Sequence, residues 1–127
     1  MIVASTFLSI NGCGGSNDTS KGVVQFTDGE PVQSGSIEFR SLAGGLRYAS
    51  RIAPNGAFTL ADQKGVLRCP PGDYEVVVVQ IVLTEDLAAA DHTHGRTVPR
   101  RYADYYTSRL RTTKKESEPL LIELEAE

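Results

Sequence analysis

The chain has 127 residues, 40% of them apolar and 23% charged, and a formal net charge of −3 at pH 7. That length and balance suit one domain with its own hydrophobic core and exclude an intrinsically disordered chain. They also give no footing for nucleic acid, which needs clustered Lys and Arg to neutralise phosphates. The densest basic stretch, from Arg96 through Arg100, Arg101, Arg109 and Arg111 to Lys115, is interleaved with Thr, Tyr, Asp and Ser and reads as solvated surface. No run reaches the roughly 20 apolar residues that cross a bilayer, so any membrane attachment is covalent.

The first element is "MIVASTFLSI" followed by "NGC", the form of a hydrophobic region and small-residue cleavage box of a bacterial lipoprotein signal. Ile10 and Gly12 suit the box, and the "GGSNDTSKG" that follows Cys13 has the composition of a flexible tether. Against this stands the lack of any Lys or Arg before Ile10. Two readings of Cys13 therefore stay open: the lipid attachment site of an exported, membrane-anchored protein, or an incidental thiol in a disordered N-terminal tail. On the first reading, residues 1–12 are the signal segment, 13–21 the tether and 22–127 the folded domain. Two cysteines, Cys13 and Cys69, are too few for a disulfide framework and lack zinc-site pairing. A lipid on Cys13 would leave Cys69 a free, buried thiol; without it, a bond between the two is open in an exported protein.

From Gly22 onward, short alternating runs broken by turn residues predict an all-β domain. "GVVQFTDGEPV" places Val24 and Phe26 on one side and turns at Asp28 and Gly29; "GSIEFRS" places Ile37 and Phe39 inward and Glu38 and Arg40 outward. "LRYASRI" sets Leu46, Tyr48 and Ile52 opposite Arg47 and Arg51. "PNGAFTL" predicts a hairpin turn at Asn55-Gly56 with positive φ at both residues, then Phe58 and Leu60 inward. "CPPGDYEVVVVQIVL" begins with a rigid turn and becomes a strand apolar on both faces, with Tyr74, Val76, Val78 and Val82 on one side and Val77, Val79, Ile81 and Leu83 on the other. Such a strand is central and covered on its outer side, by the later loop, whose "DLAAAD" suits a helical turn, or by another chain. "SEPLLIELEAE" closes the domain with Leu120, Ile122 and Leu124 inward. The fold expected is a single antiparallel β-sandwich of about seven strands with a flexible N-terminal tail.

Residues 84–108 make a connection longer than usual between strands, and such loops are often functional. They hold both histidines and Tyr102, Tyr105 and Tyr106, whose aromatic faces suit a ligand site. "DHTHG" offers His92 and His94 with Asp91 or Asp104 as candidate ligands for zinc or copper. His92, His94 and Asp104 are also the groups a small hydrolase would use. No Gly-x-Ser-x-Gly elbow marks a nucleophile, and the glycines after Asn11 lack the preceding strand of a phosphate cradle. No cofactor is implied.

"DGEPVQSGSIEF", "NGAFTL", "PPGDYEVVVV" and "VPRRYADYYTSRL" occur in that order, and together they resemble the carboxypeptidase regulatory-like, or transthyretin-like, β-sandwich domain of small bacterial surface lipoproteins. The resemblance covers Lys21 to the end of the sequence. It implies a prealbumin/Ig-like sandwich without catalysis, used for adhesion, glycan contact or support, and it favours the anchor reading of Cys13. It also implies that Pro71, Gly72, Asp73 and Tyr74 set the start of a core strand, Gly72 with positive φ and Tyr74 with its ring inward. The partners implied are a membrane through the lipid, and a glycan, a surface protein or a neighbouring copy at the loop.

Overall fold

Alternation of apolar and polar residues builds two β layers that share one interior. The computed structural model describes residues 20–80 and 96–126, which contain β1 (Lys21–Phe26), β2 (Ser36–Ser41), β3 (Arg47–Arg51), β4 (Ala57–Thr59), β5 (Gly72–Val79), β6 (Leu110–Lys114) and β7 (Leu120–Leu124). They form a three-stranded sheet, β4-β1-β7, and a four-stranded sheet, β3-β2-β5-β6. The signal segment, Cys13, most of the tether, "DLAAAD" and Ile81, Val82 and Leu83 lie outside the described residues.

Period-2 patterning decides what goes inside. Val24, Phe26, Phe58, Leu120, Ile122 and Leu124 of the smaller sheet, with Leu60 just past β4, meet Ile37, Phe39, Tyr48, Tyr74, Val76 and Val78 of the larger in one buried cluster. Phe39 contacts Phe58 at 6.0 Å and Tyr74 at 5.6 Å between ring centroids, and Tyr74 meets Tyr48 edge-on at 5.9 Å. Each large side chain buried in this way contributes about 1.5–3 kcal/mol. Leu46 departs from the expectation, being 59% exposed. It precedes β3 in the turn after β2, where its carbonyl accepts from the Ser41 amide, and the inward row starts only at Tyr48.

Two connections differ from those the sequence predicts. The larger sheet is antiparallel throughout and β4 runs antiparallel to β1, but β7 lies parallel to β1, with Gly22 opposite Leu120 and Phe26 opposite Leu124. A tight turn forces antiparallel pairing only between neighbours in sequence; β1 and β7 are the ends of the domain, and all the strands between them form the crossover. The Asn55-Gly56 turn is likewise not a hairpin within one sheet, because β3 and β4 belong to different sheets. Pro54, unable to take positive φ, moves the turn back one residue: the Ala53 carbonyl accepts from the Gly56 amide at 2.8 Å, and only Gly56 has positive φ, 86°. A turn closed by a left-handed glycine is a common hairpin connection, and here the Ala53 amide donates to the Ala57 carbonyl at 2.9 Å in the same antiparallel register as Ala49 with Ala61, although β4 itself pairs with β1. The chain then pairs Phe58 with Gly22 of β1, and at Ala61 it exchanges hydrogen bonds of 2.9 and 3.0 Å with Ala49 of β3, so it joins the two sheets at one edge.

The turn before β5 follows the expectation, with Gly72 at φ 151° and Tyr74 buried, its hydroxyl donating to the Pro70 carbonyl. β5 is central, between β2 and β6. Its outer face is covered by a 3-10 turn (Arg100–Ala103) and a short helix, α1 (Tyr105–Ser108). The cover is thus supplied by the later loop, and Val77, although on the outer face, is buried.

Candidate functional site

The site is built on the solvent side of the larger sheet. Register sets Arg47, Arg40, Glu75 and Arg111 in one row across all four strands, and Ala49, Glu38 and Val77 in the next. Residues directly opposite in an antiparallel pair stand close enough for their side chains to interact. Arg40 donates to Glu75 at 2.6 Å, and Arg111 stands 3.9 Å from the other oxygen of Glu75.

The cover turns this flat face into a groove. Asp104 accepts from the Tyr106 amide at 2.7 Å and starts α1, which stops at Arg109 in the left-handed conformation, φ 57°. Three anchors hold the segment down. Ser108 Oγ donates to the Val76 carbonyl at 2.6 Å. The Tyr105 hydroxyl donates to Glu38 at 2.8 Å while its ring lies 4.0 Å from the Arg40 guanidinium. Tyr102 enters the core, and its hydroxyl accepts from the Glu125 amide at 2.9 Å. Between segment and sheet lies a groove of about 1000 Å3, with Val77, Val79 and Leu110 supplying apolar surface and Glu38, Arg40, Glu75, Asp104, Arg109 and Arg111 the charge.

The electrostatics follow from this packing. Glu75, hydrogen-bonded to Arg40, holds that guanidinium more firmly protonated than usual. Burial, and then the bond to Glu38, push the Tyr105 hydroxyl well above the ordinary phenol value, so it remains a donor. The groove is a fixed lattice of donors, acceptors and one aromatic wall, with Tyr106 projecting at its rim, 91% exposed.

Of the aromatic residues that the sequence singles out, Tyr105 and Tyr106 line this groove, and Tyr102 does not: it is part of the core. Asp104 lines the groove with its Oδ1 engaged as the α1 cap. His92, His94 and Asp91 lie outside the described residues, as does Cys13; among the described residues no three of His, Cys, Asp and Glu stand together as metal ligands. Cys69 is buried and, among the described residues, free. The sequence pattern sets Glu38 and Arg40 outward and Arg109 and Arg111 on solvated surface, without bringing them together. Alternation reports facing, whereas the row that joins Arg40 to Glu75 depends on register between β2 and β5. No helix among the described residues is long and apolar enough to cross a membrane.

Comparison with protein-family models, with curated proteins and with solved structures gives no match to this chain.

Proposed function

We propose that the protein is a non-catalytic cell-envelope module, exported and held to a membrane by a lipid on Cys13, whose prealbumin-like sandwich offers the outer groove to a glycan. The observation that carries the binding role is the groove itself: an open channel in which Tyr106 presents an uncovered ring beside planar carboxylate and guanidinium groups. Sugar rings are recognised by this combination, C–H faces stacking on an aromatic ring and hydroxyls bonding to planar polar side chains. The carboxylates in the groove are already hydrogen-bonded to Tyr105, Arg40 and the Tyr106 amide, which suits them to hold a shape rather than to shuttle protons. The prealbumin-like assignment is supported by the Pro-Pro-Gly-Asp-Tyr turn, with its positive-φ Gly72 and buried Tyr74. The anchor is supported by the apolar run, the small residues and the tether around Cys13.

Binding is tested by titration calorimetry of the folded domain against a panel of soluble oligosaccharides, with Tyr106→Ala as the control that spares the fold. Saturable binding that falls at least tenfold in Tyr106→Ala is expected; no binding to any oligosaccharide, or equal binding by the variant, refutes the role. The anchor is tested by intact-mass analysis of the protein from the host's membrane fraction. A chain beginning at Cys13 with acyl mass is expected, and retention of the residues before Cys13 refutes it.

A further inference from the structure

We infer that the groove selects an acidic glycan, one whose sugar carboxylates are received by Arg109 and Arg111; this rests on the glycan reading above. The argument is the balance of satisfied and unsatisfied groups. Three carboxylates line the groove, and each already accepts a short hydrogen bond: Glu38 from the Tyr105 hydroxyl at 2.8 Å, Glu75 from Arg40 at 2.6 Å and Asp104 from the Tyr106 amide at 2.7 Å. The cations are less engaged. Arg111 reaches Glu75 only at 3.9 Å, with 69% of its side chain exposed, and Arg109, which lines the groove and is exposed, has no carboxylate within 4.0 Å among the described residues. Arg47 extends the same row beyond Arg40 without an ion pair of its own among the described residues. Each carboxylate keeps a second oxygen that can still accept, but the charged groups left least engaged are guanidinium donors, and a ligand that answers them must bring acceptors.

A carboxylate is the acceptor whose two oxygens match the planar fork of an arginine, in the bidentate geometry that gives both strength and direction. Arg109 follows α1 directly and so stands near Tyr106 at the rim. A uronic acid residue unites what the two side chains ask for, a C–H face for the ring and a carboxylate for the guanidinium. A neutral sugar would leave the cations unanswered. An acidic peptide would meet the guanidinia without a pyranose face for Tyr106.

The test uses the full domain and four probes at low salt: a tetra-galacturonide, its fully methyl-esterified form, a neutral galactan oligomer and polyglutamate. The acidic oligosaccharide is expected to bind at least tenfold more tightly than its methyl ester, and to weaken at least fivefold at 0.5 M NaCl because exposed charges are screened. Arg111→Gln and Arg109→Asn, the latter tolerant of the left-handed backbone, are each expected to weaken the acidic probe fivefold or more and the neutral sugars by a clearly smaller factor. Tyr106→Ala is expected to weaken every sugar. Equal binding of acid, ester and galactan, with loss in Tyr106→Ala, overturns the charge selection and keeps the glycan role. Binding of polyglutamate as tight as that of the acidic sugar, or sugar binding unaffected by both arginine variants, also overturns the selection. No sugar binding at all overturns both.

Discussion

Replacing Tyr105 by Phe removes one oxygen and tests whether the cover is held to the sheet by the bond to Glu38. The hydroxyl donates to that carboxylate at 2.8 Å, and both groups are half-buried. A hydrogen bond to a charged partner contributes about 1.5–3 kcal/mol, and a half-exposed carboxylate recovers part of that from water, which leaves about 1 kcal/mol for Tyr105→Phe. The ring remains over Arg40, where it lies 4.0 Å from the guanidinium, and a contact of that kind contributes about 0.5–1 kcal/mol. Tyr105→Ala forfeits the hydroxyl, the stacking and the apolar burial together, and is expected to cost about 2–3 kcal/mol. In a domain of this size, 1 kcal/mol corresponds to about 4–8 °C in Tm. Urea unfolding and thermal melts of Tyr105→Phe, Tyr105→Ala, Glu38→Gln and the double variant Glu38→Gln/Tyr105→Phe give the losses and the coupling. A coupling of about 0.5–1 kcal/mol is expected between the two sites. A Tyr105→Phe variant as stable as the native protein, with zero coupling to Glu38, refutes the claim that this bond fastens the cover.

Two further perturbations follow from the geometry. Gly56→Ala places a methyl 2.6 Å from the Val24 carbonyl oxygen at φ 86°; since the left-handed backbone alone costs about 1–2 kcal/mol, a loss of more than 2 kcal/mol in urea unfolding is expected, and a smaller one would show that the corner between the sheets is pliant. Stability should also fall at both ends of the pH range. Asp28, bonded to Arg96 at 2.6 Å, has its carboxyl held below the ordinary 3.8, so its contribution is present above that value and is lost as pH drops through the folded pKa. Burial pushes the Cys69 thiol above 9.0, so its neutral form stabilises the fold below that pH, and this is lost as pH rises through the folded value. Melts from pH 2 to 11 on native, Cys69→Ala and Arg96→Gln proteins check both limbs: Cys69→Ala should flatten the alkaline fall, Arg96→Gln the acid one, and unchanged profiles would refute the assignments.

How far the sequence discloses this molecule depends on whether a position's fate is set locally. Val24 with Phe26 and Ile37 with Phe39 are legible as core because alternation alone assigns their side of the strand. β6 is not: its inward positions after Leu110 are Thr112 and Lys114, so nothing in "LRTTK" signals a strand. Lys114 is buried at 2% exposure because its Nζ donates to the carbonyls of Lys115 at 2.6 Å and Glu118 at 2.7 Å, closing the turn into β7. An ammonium satisfied by main-chain oxygens is a product of the folded turn, and composition does not reveal it. The same limit governs the site. Tyr102, Tyr105 and Tyr106 look alike in sequence, but the change from a 3-10 turn to a helix at Asp104 sends the first into the core, the second to the groove wall and the third to the rim.

The two-sided apolar character of β5 explains why a groove exists on this face at all. A strand with Val76 and Val78 on one side and Val77 and Val79 on the other cannot leave its outer side wholly to water, so the sheet recruits residues 100–108 as a lid over Val77. The neighbouring outer positions on β2 and β5 are Glu38, Arg40 and Glu75, and besides the Ser108 and Tyr102 anchors the lid is fastened through a partner for those charges, Tyr105. The charged row beyond the lid's edge, with Arg111 on β6, stays open and becomes the floor of the groove. Shape and charge at the site thus have separate sources: Tyr102, Tyr105 and Ser108 fix where the wall stands, while Tyr106, Arg109 and Arg111 face outward and hold nothing in the core. Substitutions in the first group should alter stability and binding together, and those in the second should alter binding alone. A Tyr106→Ala variant that melted several degrees below the native protein would contradict that separation.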